Sequence, residues 1–330
     1  MAESSGQVIA GRMRNANLKR LLSEHGILIG FIAIVIILSI ATPNFLTAGN
    51  IINVLRQVSS IGIATIGVGM LIIMGQIDLA IGSTFALTGI MAGLTVSTGL
   101  GGYGLHPIIG FAVGIATGII VGGISGWIVA KARIPAFIVT MGTMSICRGL
   151  ALIFSHGMPV GNFPDGFNYL GSASLGPIPW PIIIFALVIL FGKYLMEKRP
   201  LGRYIYAVGS NEDAARAAGI NVDKVKIKTY LIAGGMVGLG GTVLAARMKS
   251  AAPSMGVGYE LDAIAGAIIG GVSFSGGIGR IRDMVLGALL IGVINNGMDL
   301  LGVEAFYKQV VKGSIIILAV LIDRKRSGRA

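Results

Sequence analysis

Ten apolar runs separated by short polar segments fill most of the chain between residues 27 and 323. A membrane-spanning helix needs about 20 mostly apolar residues, and most of the runs approach that length. The pattern predicts an all-α polytopic membrane protein with about ten transmembrane helices. Because several runs are short, six or eight spans with re-entrant segments also fit. The predicted spans are residues 27–42, 51–74, 84–98, 108–130, 134–155, 181–195, 230–246, 262–273, 284–301 and 307–322.

Basic residues lie unevenly across the loops of this ten-span arrangement. Ten crossings place both termini on one side, and that side carries 20 of the 26 Lys and Arg residues, against four on the other side and two within spans. Cytoplasmic loops carry an excess of Lys and Arg. The sequence therefore predicts a cytoplasmic N-terminal tail (1–26), a transmembrane domain (27–323) with a cytoplasmic loop at 197–228, and a cytoplasmic basic tail (324–330).

Glycine recurs at every fourth position in the fourth predicted span. Residues four apart lie on one helix face, and a face of small residues lets helix backbones approach closely inside a membrane. The spacing predicts that this helix is buried and packs through one bare ridge. The ridge consists of Gly110, Gly114, Gly118, Gly122 and Gly126.

The stretch 201–222 is a long polar interruption between the sixth and seventh predicted spans. Ser210, followed three residues later by Asp213, predicts the cap of a short helix over 211–218, and Gly219 is a typical helix stop. Such a helix is about 12 Å long at about 1.5 Å per residue, so it must dock on another surface. Its alanines leave its flanks bare for close approach by another protein, although an ordinary surface helix fits the same pattern. The candidate contact residues are Gly209, Ser210, Asn211, Glu212, Ala214, Ala215 and Gly219.

Composition limits the chemistry that this chain can perform. It is 54% hydrophobic and 12% charged, with 52 glycines and a net charge of +12. Basic residues beside apolar spans indicate membrane orientation rather than nucleic-acid binding. The single Cys147 excludes an internal disulfide, the three histidines lack metal-ligand spacing, and no GxxxxGK[ST] phosphate loop occurs. We therefore predict no catalytic residue, metal or cofactor in this chain.

A few polar side chains lie within or at the ends of the predicted spans. A charge in hydrocarbon is costly and usually faces a partner or a water-filled path, so these positions are candidates for a translocation pathway. Turn formation and helix–helix hydrogen bonding explain several of them equally well. Lys312 lies near the outer end of the tenth span, where it can reach the interface. The pathway candidates are Asp78, Arg148, Ser273, Phe274, Asn295 and Asn296.

Two span ends are broken by glycine in a similar way. Residues 72–75, followed by a polar turn and Gly82, resemble residues 268–271, followed by the VSFSGG segment. Paired broken segments in two halves are typical of transporters built from inverted repeats. The echo predicts an inverted repeat with broken helices.

Four motifs, taken together, resemble the permease subunits of ribose-type ABC sugar importers. They occur in order across most of the chain, from about residue 27 to about residue 323, whereas residues 1–23 match nothing in that pattern. The motifs are GQIDLAIGS at 75–83, RPLGRYIYAVGSNEDAARAAGINVDKVKI at 199–227, GYELDAIAGAIIGGVSFSGGIGRI at 258–281 and NNGMDLLGV at 295–303.

The resemblance implies a multi-pass subunit of a bacterial inner membrane that works with several partners. These are a second permease copy, a cytoplasmic ATPase subunit that holds ATP and Mg²⁺, and a periplasmic or lipid-anchored sugar-binding protein. It also implies that the stretch matching residues 209–219 is the cytoplasmic coupling helix, in agreement with the docking argument from its length.

Two other classes stay open. A secondary transporter uses similar broken helices but usually needs a buried acidic residue for ion coupling, and mid-span acidic residues are few here. A membrane enzyme such as a lipid-modifying transferase needs a polar catalytic cluster, and the sequence shows no such pattern. ATP-dependent uptake would argue against a secondary transporter, and a measurement of lipid turnover would test for a membrane enzyme.

Overall fold

The computed structural model describes residues 28–99 and 101–327, and the regular secondary structure of this part is helical apart from one short β-hairpin. It begins with α1 (Leu28–Ala41), α2 (Ala48–Ile73), α3 (Ile81–Val96), α4 (Pro107–Lys131), α5 (Ala136–Phe154), α6 (Asp165–Ser172), the hairpin β1 (Ser174–Leu175) and β2 (Ile178–Pro179), and α7 (Trp180–Lys198). It continues with α8 (Pro200–Ser210), α9 (Glu212–Ala217), α10 (Val222–Met248), α11 (Tyr259–Ile269), α12 (Ile281–Leu300) and α13 (Ala305–Ser327). The predicted all-α polytopic fold is confirmed. The predicted N-terminal tail, residues 1–26, lies outside the described residues.

Each of the ten predicted spans coincides with one helix. In the described residues, α2, α4, α5, α7, α10 and α12 are long and apolar enough to cross a membrane, and α1 and α3 are shorter apolar helices. The predicted span 262–273 is wrong as a full crossing. Its helix, α11, has 11 residues and is about 16 Å long, roughly half of the hydrocarbon thickness.

Helix starts follow from local chemistry. Proline occupies the first turn of α4, α7 and α8, where its missing N–H costs no hydrogen bond. The N-terminus of α2 is capped by Thr47, whose hydroxyl accepts the Asn50 N–H at 3.3 Å. These local signals determine where these four helices begin, and tertiary packing determines how the helices are arranged.

The core is organised around α2, which is buried from Val58 to its end and packs against α7, α10, α11 and α12. Most of α3 and α10 is also buried, whereas α4 is buried on one face only. In α4 the glycine face is buried, whereas Ile108, Ile120, Ile124 and Trp127 on other faces are exposed. The prediction that α4 is buried is therefore correct for its small-residue face and wrong for its other faces. Exposed apolar side chains on long helices suit a lipid environment.

The helix order of α2–α5 recurs in α10–α13. Each unit has a long helix, a non-helical break, a shorter helix and two further helices. The C-terminus of α2 and the N-terminus of α10 lie at the same end of the bundle, here called the α9 end, since both pack beside α8 and α9. The two units therefore run in opposite directions, which is the inverted arrangement predicted. The predicted register is wrong, because the counterpart of the 74–80 break is the segment 249–258 and not 270–277.

The short helices of the two units meet inside the bundle. A Cβ atom on Gly82, in the first turn of α3, would overlap the Gly256 carbonyl oxygen just before α11. The rings of Phe85 and Tyr259 stand edge to face with centroids 5.5 Å apart. Close packing of the two helix starts places both non-helical breaks within the protein, where a membrane protein can keep irregular backbone away from lipid.

Candidate functional site

The polar segment between α7 and α10 folds as α8 followed by α9. Asn211 caps α9: its backbone is extended (φ −162°, ψ 107°) and its Oδ1 accepts the Ala214 N–H at 2.9 Å. The prediction that Ser210 caps this helix is wrong, because Ser210 is still helical as the last residue of α8. Glu212 and Asp213 lie in the first turn of α9, where carboxylates stabilise the positive end of a helix.

Gly219 ends α9 as the sequence predicts. Its φ is +83°, its N–H donates to the Arg216 carbonyl at 3.0 Å, and the Ile220 N–H donates to the Ala215 carbonyl at 3.1 Å. These are the two bonds of a Schellman motif. A Cβ at this position would meet no described atom within 4 Å, so the need for glycine comes from the backbone angle.

One face of α9 is small and exposed. Asp213, Ala214, Ala217 and Ala218 are exposed, whereas Ala215 is buried at 5% exposure. The expectation that Ala215 lies on an open docking surface is therefore wrong, since its side chain packs inside the chain. The open surface that remains is the strip formed by Asp213, Ala214, Ala217 and Ala218, here called the α9 face.

Ion pairs tie α9 to its neighbours. Glu212 pairs with Arg216 at 3.2 Å and with Lys226 of α10 at 2.8 Å. Asp223 in turn pairs with Arg216 at 3.8 Å and with Lys131 at the end of α4 at 3.1 Å. Exposed pairs contribute little singly, but a network fixes geometry. The network therefore connects α9 to the end of α4 and to the start of α10.

The end of α8 packs directly on two helix breaks. A Cβ on Gly209 would overlap the Ile73 carbonyl oxygen and lie 2.8 Å from the Gly277 nitrogen. That carbonyl also accepts the Gly277 N–H at 2.8 Å. Gly277 has φ +73°, and a Cβ there would overlap the Ser210 hydroxyl. The last turn of α8 therefore touches both the end of α2 and the segment 270–280.

Tyr206 adds a polar bond between α8 and the same segment. Its hydroxyl donates to the Gly279 carbonyl at 2.7 Å. Burial raises the pKa of Tyr206, with Glu197 acting in the same direction, so the hydroxyl keeps its proton and remains a donor at neutral pH. Both packing and a hydrogen bond therefore join α8 to the 270–280 segment.

A cavity of about 410 Å³ opens beside α9. Its walls come from the 74–80 break, the turn between α4 and α5, and the polar face of α9. Gln76, Arg133, Glu212, Arg216 and Lys226 line it among apolar neighbours. The α9 end of the bundle thus has a recess with charged lining residues that borders one of the broken segments.

Two predicted pathway residues lie in α12 and bind neighbouring helices. Asn296 is buried and exchanges two side-chain hydrogen bonds with Asn50 of α2, at 2.9 and 3.0 Å. Asn295 donates to Asp262 of α11 at 3.3 Å. Both asparagines therefore join helices, which is the alternative role that the sequence left open.

Arg148 and Asp78 also have partners in the chain. Arg148 donates through Nη1 to the carbonyls of Pro253 and Met255, so it holds the 249–258 break in place. Asp78 lies in the other break and accepts the Ala80 N–H at 2.8 Å, which shapes the turn into α3. These two charged residues thus each stabilise one of the two breaks.

Ser273 and Phe274 lie in the 270–280 segment. Ser273 is buried, and its hydroxyl accepts the Ser275 N–H at 3.3 Å. Phe274 is 41% exposed. The structure therefore does not gather the six predicted pathway residues at one point. They lie in the 74–80 break, in α5, in the 270–280 segment and in α12.

The glycine ridge of α4 lies against α10 for most of its length. A Cβ on Gly118 would overlap the Gly234 carbonyl, and one on Gly122 would overlap the Tyr230 carbonyl. Gly114 faces Thr242, Gly126 faces Tyr230, and Gly110 faces Val96 of α3. Backbone-to-backbone contact of this kind needs glycine on both helices.

Comparison with known proteins identifies the family of this chain. Residues 50–320 match the family described as branched-chain amino acid transport system / permease component. The chain belongs to this permease family. Individual relatives agree over nearly the full length, and no solved structure matches the chain.

The permease is similar to proteins named for sugar import. It is 40% identical to the ribose import permease protein RbsC of Escherichia coli (strain K12) over 97% of this chain and 99% of that protein. The corresponding protein of Bacillus subtilis (strain 168) is 41% identical over 93% and 94%. The L-arabinose transport system permease protein AraH of Escherichia coli (strain K12) is 36% identical over 92% of each chain.

Sequence reasoning missed some residues that build the site. Tyr206 and Lys226 connect α8 and α9 to the membrane helices, and only the tertiary structure reveals their partners. Lys312 is assigned wrongly as a residue that reaches toward the interface, because its Nζ pairs with Asp262 at 2.7 Å. The sequence offered one signal for this pair: Asp262 and Lys312 carry charges of opposite sign near the ends of apolar runs.

The ion pair between Asp262 and Lys312 joins α11 to α13, and its loss should destabilise the permease. Asp262 is 4% exposed, and removing one partner of a buried pair typically costs about 3–5 kcal/mol, because the other charge is left without compensation. We expect Asp262→Asn to lower the thermal unfolding temperature and the yield of monodisperse protein. The double variant Asp262→Asn with Lys312→Met should recover most of the loss. Equal stability of the single variant and the wild type would contradict the pairing.

Proposed function

We propose that this permease is the membrane subunit of an ATP-driven importer that moves a monosaccharide, ribose or a related pentose or hexose, into the cytoplasm of a bacterium. The relatives that share about 40% of its residues are named as ribose import permeases, and others are named for L-arabinose. Tight binding within the membrane would oppose release, so selectivity would reside largely in an external sugar-binding protein.

One observation carries the mechanistic part of the proposal. The last turn of α8 packs on both the end of α2 and the 270–280 segment, while the α9 face is left small and exposed. A cytoplasmic ATPase subunit that binds the α9 face would therefore act on two helix ends through one rigid contact. The chain contains no phosphate-loop motif, so ATP and Mg²⁺ would be held by that partner.

The proposal includes an orientation of the permease in the membrane and an assembly with its partners. The excess of Lys and Arg on the side that carries both termini and the 197–228 loop favours a cytoplasmic location for α9. A second copy of the permease would complete a symmetric assembly with two ATPase subunits. The external binding protein would deliver sugar to the opposite end of the bundle, which carries the β1–β2 hairpin.

ATP dependence is the direct test of this function. The permease is reconstituted in vesicles with its ATPase subunit and sugar-binding protein, and uptake of labelled ribose and arabinose is measured. Uptake that requires ATP on the α9 side and continues without ion gradients supports the importer. Uptake driven by a proton or sodium gradient without ATP would instead indicate a secondary transporter.

Substitution on the α9 face should uncouple the importer. Ala217 is exposed, and an arginine there would hold the partner away from a surface that small residues keep open. We expect Ala217→Arg to lower sugar-stimulated ATP hydrolysis on the order of tenfold, as for a contact worth about 1.4 kcal/mol or more. Ser174→Arg, in the exposed hairpin at the other end of the bundle, is the matched control and should leave ATPase binding intact. Normal stimulation in Ala217→Arg would show that the α9 face is not the contact.

A further inference from the structure

A seam between α7 and α10 carries two recesses, one basic and one apolar. The basic recess, of about 440 Å³, lies at the α9 end, where α7 ends and α8 and α10 begin. Its charged lining residues are Arg199, Lys224 and Lys228. Lys224 and Lys228 are one helical turn apart and both are exposed, so their ammonium groups share one face of α10.

The positive charge of this recess is not neutralised within the described residues. In that part of the chain no carboxylate lines the recess, and none of the three cations belongs to an ion pair. Arg199 instead lies over the ring of Tyr194, with its Cζ atom 5.1 Å from the ring centroid. The recess therefore offers three cationic side chains to an anion from outside the chain.

The apolar recess continues along the same two helices. It has a volume of about 590 Å³ and is lined by α7, α10 and the exposed side of α4, including Leu187, Phe191, Ile232 and Leu239. Phe191 precedes Leu195 of the basic recess by one turn, and Ile232 follows Lys228 by one turn. The two recesses are thus consecutive on a single seam.

The length of the seam fits one leaflet of a bilayer. From Lys228 to Leu239 the α10 helix advances eleven residues, about 16 Å at about 1.5 Å per residue. Half of the hydrocarbon core is about 15 Å. A phosphate group at the basic recess would therefore leave its acyl chain along the apolar recess down to the middle of the membrane.

We propose that this seam binds one anionic phospholipid, with its phosphate between Arg199, Lys224 and Lys228 and an acyl chain along Phe191 and Ile232. Charge complementarity and the apolar continuation together favour a lipid over a soluble anion or a protein surface. Basic pockets between membrane helices on the cytoplasmic side suit anionic headgroups. The site lies beside α8, so a bound lipid would brace the helix that packs on α2.

Lipid titration of the full-length permease tests the proposal. Native mass spectrometry of the delipidated protein in detergent compares palmitoyl-oleoyl phosphatidylglycerol with phosphatidylcholine of the same acyl chains. We expect the wild type to retain phosphatidylglycerol preferentially. Each cation near the surface is worth roughly fivefold in affinity, so Arg199→Gln/Lys224→Gln/Lys228→Gln should weaken binding on the order of a hundredfold.

A matched variant separates a specific site from general surface charge. Lys193→Gln/Lys198→Gln/Arg203→Gln removes the same charge from exposed positions of α7 and α8 outside the recess, and it should retain phosphatidylglycerol. Ile232→Trp fills the apolar recess and leaves the cations in place, and it should also weaken phosphatidylglycerol binding.

Several results would overturn the lipid site. One is equal retention of phosphatidylglycerol by the two triple variants, and another is equal binding of phosphatidylcholine and phosphatidylglycerol by the wild type. If inorganic phosphate displaced phosphatidylglycerol at comparable concentration, the recess would be an anion site without a lipid component. Loss of ATPase binding in the first triple variant with unchanged phosphatidylglycerol binding would assign the recess to the partner subunit.

Discussion

Replacing Gly209 by alanine is expected to abolish sugar-stimulated ATP hydrolysis and uptake. The added methyl group would overlap the carbonyl oxygen of Ile73 and crowd the Gly277 nitrogen. Both neighbours are backbone atoms that already share a hydrogen bond at 2.8 Å, so neither can move without opening the contact between α2 and the 270–280 segment. The last turn of α8 would have to lift away from both.

The matched control for this substitution is Gly49→Ala in the first turn of α2, where an added Cβ meets no described atom within 4 Å. Uptake, sugar-stimulated hydrolysis and binding of the ATPase subunit are measured for both variants in the same vesicles. We expect Gly209→Ala to keep ATPase binding, because the α9 face is unchanged, and to lose transport. Transport at the wild-type rate in Gly209→Ala would mean that α8 does not transmit force through Ile73.

Replacing Gly118 by alanine is expected to destabilise the permease strongly. A Cβ at this position would overlap the Gly234 carbonyl and lie 2.7 Å from the Gly238 Cα. Both obstacles are backbone, so α4 and α10 would have to separate along their shared ridge. Overpacking typically costs about 1–3 kcal/mol, and we expect a value at or above the upper limit because no side chain can rotate away.

A glycine in open surroundings provides the comparison. Gly142 of α5 has no described atom within 4 Å of its Cβ position, so Gly142→Ala should be neutral or slightly stabilising, since alanine favours helix by about 1 kcal/mol. Thermal unfolding in detergent and the yield of monodisperse protein check both variants. Comparable unfolding temperatures for Gly118→Ala and Gly142→Ala would contradict the close helix contact.

The sequence predicts the glycine ridge but not the helix that it meets. A spacing of four places Gly110 to Gly126 on one face whatever surrounds them, and the structure places that face against protein. Its partner α10 carries Gly234 and Gly238 at the same spacing, which was a usable signal. That these two ridges face each other depends on how the other helices pack around α2, and local spacing contains no such information.

The end of α8 shows why local capping rules chose the wrong residue. Ser210 and Asn211 are both good N-caps, and each is followed by carboxylates within three residues. The choice is made by tertiary contacts, because the packing of Gly209 and Ser210 on Ile73 and Gly277 keeps Ser210 in the helix that precedes it. The short helix, its stop at Gly219 and its polar surroundings needed only local chemistry and were predicted.

The roles of intramembrane polar residues were the least accessible to sequence reasoning. Asn296 and Arg148 were candidates because burial of polar groups in a membrane is costly. Either a water-filled translocation pathway or a hydrogen-bond partner within the chain removes that cost. Asn50 and the carbonyls of Pro253 and Met255 supply those partners. These partners lie far from Asn296 and Arg148 in sequence, so only the folded structure identifies them.

Site-specific photo-cross-linking tests most directly whether the α9 face is the surface through which an ATPase subunit acts. A benzoylphenylalanine replaces Ala217 in the reconstituted importer, and the same residue replaces Ser174 as the control in the hairpin at the opposite end. We predict that the probe at position 217 cross-links to the ATPase subunit with a yield that changes between ATP-bound and nucleotide-free states, and that the probe at position 174 does not. Absence of a cross-link from position 217, in a complex that still imports sugar with ATP, would contradict the account.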